Sequence, residues 1–146
     1  MNDHLIGKIL KELMPKLDKI NFAVLGTLNL YFQGIDVAPR DIDFLTNNKG
    51  IEKISSIFDC SVTKKEGYLE TKFEVDGIEI HFVSNESNPI RPLNFMKYVL
   101  AIEKYGIKIP CMSLKSELTA YREMERDKDK EKIKALEEKL DLTNRF

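Results

Sequence analysis

Asp41-Ile42-Asp43 is the segment of this sequence best equipped for chemistry. On a β-strand, residues two apart share a face, so both carboxylates would project from one side, about 6–7 Å apart. Asp is disfavoured in strands, and two like charges on one face oppose each other unless a cation compensates them. Ile42 and Phe44 would point the other way, into a core. Ile78-Glu79-Ile80-His81-Phe82 repeats the pattern, with Ile78, Ile80 and Phe82 on an apolar face and Glu79 and His81 opposite. If the two strands are neighbours, Asp41, Asp43 and Glu79 converge. Hard oxygen donors suit Mg²⁺, which combines a few carboxylates with substrate phosphates. Such a patch is the protein half of a two-metal phosphoryl-transfer centre. The competing reading is an edge strand with solvated acids; His81, on the Glu79 face, either borders the pocket or is a satisfied structural histidine.

Gly26-Thr27 is the second element. Gly permits close backbone approach, the first N–H groups of a following helix can hold a phosphate oxygen, and Thr27 adds a hydroxyl. Taken alone, Gly-Thr is also an ordinary way to begin a helix.

The elements that must position these groups follow from periodicity. Leu5, Ile9, Leu13 and Leu17 recur every four residues, an amphipathic helix capped by Asn2 or Asp3 and disturbed near its end by Pro15. Residues 21–25 read as a buried strand, a helix of about seven residues starts at Gly26-Thr27 and closes at Gly34, and 41–45 form a strand. A helix follows over 49–58, then β-like runs at 60–64, 68–75 and 78–83, with Lys65-Glu66-Gly67 and Asp76-Gly77 as turns. Residues 94–105 are ambiguous, a helix fading into a strand before Gly106, and 107–112 are extended. Ser113 caps a helix to about Met124, and Asp127 caps a last one to about Leu140. The order predicts an α/β (α+β) fold: a mixed sheet flanked by helices, in one domain over 1–146 whose C-terminal helical part is 113–140. Residues 29–34 read NLYFQG, like the end of a protease-cleavage tag, but Leu28 replaces the expected glutamate and the segment lies between regular elements.

Composition excludes several classes. The chain has 146 residues, 23 Lys+Arg against 24 Asp+Glu, and a net charge of −1. Such a balance gives no overall positive field, which argues against bulk DNA or membrane binding. No apolar run nears the about 20 residues that span a bilayer. Two distant cysteines, Cys60 and Cys111, form no CxxC pair and suit a reducing, cytoplasmic setting. Only two histidines are present, and neither GxGxxG nor GxxxxGK[ST] occurs.

Read together, the strand, Gly26-Thr27, the short helix ending in Gly34, and Pro39-Arg40-Asp41-Ile42-Asp43 resemble the nucleotidyltransferase superfamily signature. The form is similar to its minimal members, including toxin–antitoxin nucleotidyltransferases related to the abortive-infection toxin AbiEii. A basic residue at Arg122 followed by Arg126-Asp127-Lys128-Asp129 is similar to the family's Arg-x-Lys-Asp segment, so the resemblance spans roughly residues 20–140.

The resemblance implies a nucleotidyltransferase that moves NMP from an NTP such as ATP to a hydroxyl of a protein, RNA or small molecule, releasing pyrophosphate. Gly26 and Thr27 would hold the triphosphate. Asp41, Asp43 and Glu79 would bind two Mg²⁺ ions, with Glu79 activating the attacking hydroxyl. Arg40, Arg122, Arg126 and Lys128 would contact phosphate or acceptor. A toxin–antitoxin partner is implied, and a second reading is a non-catalytic nucleotide- or partner-binding relative, such as an antitoxin-like subunit. Three positions depart from the family pattern: Thr27 replaces the commoner Ser, Glu79 the usual Asp, and Lys132 stands where an acid often follows.

Overall fold

In the computed structural model, which describes residues 1–145 and side chains through Asp141, alternating runs of apolar residues form one mixed sheet. The strands are β1 (Phe22–Leu25), β2 (Ile42–Thr46), β3 (Val62–Lys65), β4 (Tyr68–Val75), β5 (Ile78–Ser84), β6 (Val99–Lys104) and β7 (Ile107–Met112). Their spatial order is β3-β4-β5-β2-β1-β7-β6. β2 runs parallel to β5 and antiparallel to β1, and β1 is parallel to β7. The helices are α1 (Asp3–Leu13), α2 (Gly26–Phe32), α3 (Asn48–Phe58), α4 (Leu114–Met124) and α5 (Lys130–Arg145).

Period-two alternation explains the layers. Val24, Ile42, Phe44, Ile80 and Phe82 face one side, where Ile6, Ile9 and Leu10 of α1 and Ile51 and Ile54 of α3 cover them. Phe44 and Phe82 stack there with centroids 4.6 Å apart. Each such fully buried side chain is worth roughly 1.5–3 kcal/mol relative to exposure, which fixes the strand register. The intervening residues occupy the opposite face, where Ala23, Leu25, Leu45 and Met112 gather around Phe95. A third cluster joins Leu30 of α2 to Leu118 and Tyr121 of α4 and Leu136 of α5.

Local signals act as their chemistry requires. Asn2 accepts from the Leu5 amide at 2.8 Å and begins α1, and Pro15 turns its end into a short 3₁₀ helix. Asp76 and Gly77 both take positive φ at the β4–β5 turn. The ambiguous stretch resolves into a 3₁₀ turn over Phe95–Tyr98 followed by β6. The NLYFQG segment is integral to the fold, with Asn29 fully buried and Phe32 in the core. Asp127 does not cap the last helix. It lies in a 3₁₀ turn, Asp127–Asp129, ahead of α5, and its carboxylate instead pairs with Lys130 at 3.4 Å.

Candidate active site

The β2–β5 pairing matches Asp43 with His81 and Ile42 with Ile80. Adjacent positions across a sheet share a face, so Asp43 and His81 project together from the face that α1 and α3 leave uncovered. Asp41 lies one step before the paired segment, on the same side. Burial and then the charges of Asp43 and Glu79 hold its carboxyl above the usual range, partly countered by His81. The acids therefore do feel one another across the strand ends.

Glu79 nevertheless does not complete a ready trio. Its carboxylate pairs with Lys72 of the neighbouring strand at 3.6 Å. Asp43 leans towards His81 Nδ1 at 3.3 Å, and His81 Nε2 meets Glu70 at 2.9 Å. Among the described residues no three His, Cys, Asp or Glu side chains are gathered as a metal cluster. Glu79 and Asp43 each have a basic partner of their own, Lys72 and His81. Asp41 and Asp43 fit a Mg²⁺ ion that takes one or two protein carboxylates and draws its other ligands from phosphates and water.

A cleft of about 880 Å³ opens at this face. Gly26, Thr27, Arg40, Asp41, Asp43, Arg126 and Lys128 all line it, as do His81 and Lys132. Glu79 does not line it. Arg122 does not either: it pairs with Glu137 at 3.2 Å and borders a separate groove between α4 and α5. The α4 helix turns that side chain away because Leu118 and Tyr121 occupy its inward face.

Gly26 has φ +68, and a Cβ there would stand 3.1 Å from Asp43 Oδ2. Glycine is thus required both for the backbone turn and for the close approach to the carboxylate. Its amide is not available to a phosphate, because it donates to Glu117 Oε2 at 2.7 Å. Glu117 is fully buried and also accepts from Asn29 Nδ2 at 3.1 Å and Arg91 Nη1 at 2.6 Å. Sequence periodicity gave no warning of this network: a glutamate in the charged helix 114–124 reads as solvated surface.

Lys132 is the other unanticipated member. Its ammonium donates to Thr27 Oγ1 at 3.1 Å and lies 5.7 Å from the centre of the Tyr121 ring. Arg126, by contrast, already donates to buried Asp129 at 2.6 Å.

The fold has counterparts among solved structures. The chain is similar to a Thermotoga maritima protein designated a nucleotidyltransferase, at 25% identity and TM-score 0.75, over 92% of this chain and 93% of that one. The nucleotidyltransferase superfamily fold is what this chain adopts. The lincosamide antibiotic adenylyltransferase LnuA, solved with lincomycin, shares it at 16% identity and TM-score 0.65, over 94% of this chain and 97% of that chain. ANT(2'')-Ia, solved with adenylyl-2''-tobramycin, shares it at 11% identity and TM-score 0.66, over 93% and 90%. No family model matches the sequence, and no curated protein does either. In this nucleotidyltransferase fold, the cleft between β2 and the 126–132 segment is the place where sheet carboxylates and C-terminal basic residues meet.

Proposed function

We propose that this protein is a metal-dependent nucleotidyltransferase that moves a nucleoside monophosphate from an NTP to a hydroxyl group of a small molecule. The carrying observation is the placement of Asp41 and Asp43 in one cleft with Thr27, Arg40, Lys128 and Lys132. Carboxylates hold the divalent cation and the cationic and hydroxyl groups hold the polyphosphate. Asp41 and Asp43 would hold Mg²⁺, which would supply charge neutralisation at the transferred phosphoryl group. The acceptor oxygen forms a bond to the α-phosphorus, the α–β P–O bond breaks, and pyrophosphate leaves with the electron pair. The proton of the acceptor hydroxyl passes to solvent water. Catalysis is then mainly positioning and electrostatics. Adenylyl transfer to a small molecule is supported by two structural neighbours, the adenylyltransferase LnuA with bound lincomycin and ANT(2'')-Ia in complex with adenylyl-2''-tobramycin.

Thermal unfolding with each NTP and Mg²⁺ tests the binding half. Nucleotide at 100 times its Kd should raise stability by about 2.7 kcal/mol, and Asp43→Ala should abolish the rise. No shift with any nucleotide overturns the reading. Transfer of label from an α-³²P-NTP to small-molecule acceptors tests the chemistry. The pairing of Glu79 with Lys72 favours a second reading, a nucleotide-binding relative without turnover. Binding without any label transfer across an acceptor panel that includes tRNA and protein lysate would support it.

A further inference from the structure

His81 meets two carboxylates through different ring nitrogens. Its Nε2 lies 2.9 Å from Glu70 Oε2, and its Nδ1 lies 3.3 Å from Asp43 Oδ1. The sheet brings the three together. Asp43 is level with His81 in the β2–β5 pairing, and Glu70 shares their face, two residues along β4 from Lys72, the cross-strand neighbour of His81. Lys72 itself is drawn to Glu79. His81 lines the cleft, whereas Glu79 does not.

An ionised carboxylate only accepts hydrogen bonds, so Glu70 keeps a ring proton on Nε2. The neutral imidazole then presents its lone pair at Nδ1, on the Asp43 side. Ligating histidines are held in this way, with one nitrogen on the metal and the other N–H on a carboxylate that fixes the tautomer. The spacing agrees. Nitrogen and oxygen donors about 2.1 Å from one cation stand roughly 3.0–3.4 Å apart in octahedral or tetrahedral geometry.

We propose that His81 Nδ1 and Asp43 Oδ1 bind one divalent cation together, so that the imidazole takes the place expected of Glu79. Imidazole suits later first-row ions better than Mg²⁺, which favours oxygen donors. A mixed nitrogen and oxygen site therefore shifts preference towards Mn²⁺, Co²⁺ or Zn²⁺, with phosphates and water completing the shell. The inference rests on the reading of Asp43 as a metal ligand, and adds its companion ligand and the class of ion.

A simple ion pair between His81 and Asp43 predicts the opposite sign. Removing a ligand weakens metal binding, whereas removing a competing positive charge strengthens it. Mn²⁺ is titrated into the full chain at pH 8, alone and with inorganic tripolyphosphate, which carries no nitrogen, and the free-ion EPR signal is followed. Glu70→Gln should weaken Mn²⁺ binding by about tenfold and His81→Gln by more, with Mg²⁺, read by competition, affected much less. Pulsed EPR of the Mn²⁺-loaded wild type should show a coordinated nitrogen, so the test survives a variant that misfolds. The only other histidine, His4, stands on α1, against the opposite face of the sheet. Unchanged or tighter Mn²⁺ binding in a folded His81→Gln overturns the proposal. So does bound Mn²⁺ without nitrogen coupling; if Asp43→Ala still abolishes that binding, the nucleotidyltransferase reading stands. A wild type that takes up Mn²⁺ in neither form overturns both.

Discussion

The carboxylate of Glu117, on α4, accepts the amide N–H of Gly26, at the start of α2, at 2.7 Å. Residues 91 positions apart in sequence are thereby locked at the mouth of the cleft. The same carboxylate neutralises Arg91, whose side chain is only 6% exposed. Glu117→Ala leaves that guanidinium buried without its partner, which typically costs about 3–5 kcal/mol. A urea midpoint should fall accordingly. Glu117→Gln retains an acceptor for Gly26 and should cost less. Equal midpoints for wild type and Glu117→Ala would show that water replaces the carboxylate.

Gly26→Ala tests the same mouth from the other side. Its φ of +68 penalises any side chain, and the new methyl group would press on Asp43 Oδ2 at 3.1 Å. The backbone term alone is about 1–2 kcal/mol. Displacement of Asp43 should add a loss of Mg²⁺-dependent nucleotide binding, measured by calorimetry. Retained affinity alongside lost stability would separate the backbone turn from the carboxylate contact.

Much of this frame is legible from sequence. Alternation in Ile42-Asp43-Phe44 and Ile80-His81-Phe82 specifies which side chains are buried, and burying Phe44 against Phe82 leaves little freedom of register. Asp41 and Asp43 share a face for the same reason. The remainder depends on contacts between residues far apart in the chain. Nothing local says that Glu117 turns inward, because helix periodicity in 114–124 is blurred by charges on every side. Nor does spacing reveal that Glu79 finds Lys72, or that Lys132 reaches Thr27. Those choices depend on cross-strand and interhelical contacts that local sequence does not encode.

The His81 ring, held between Asp43 and Glu70, sets a pH dependence. Burial lowers its proton affinity, but hydrogen bonds to Asp43 and Glu70 outweigh this, and the folded pKa lies above the ordinary 6.5. The folded state therefore holds the proton more tightly than the unfolded chain. The resulting stability is fully present below about pH 6.5 and is lost as pH rises through the folded value. Without Mg²⁺, melting temperature should decline over that interval, and His81→Gln should flatten the decline. An identical slope in the variant would assign the effect to other groups.

Lys132 offers a direct test of the cleft, because its ammonium sits 3.1 Å from Thr27 Oγ1. A cation beside the Thr27 hydroxyl is placed to neutralise polyphosphate charge, and charge-assisted contacts of this kind contribute about 1.5–3 kcal/mol. Lys132→Ala should weaken NTP binding by roughly ten- to a hundredfold. NMP, with fewer phosphate charges, should lose much less. Lys132→Glu should weaken NTP binding further by adding a negative charge to the cleft. If NTP and NMP affinities fall by equal factors in Lys132→Ala, the residue supports the local fold around Tyr121, not the phosphates.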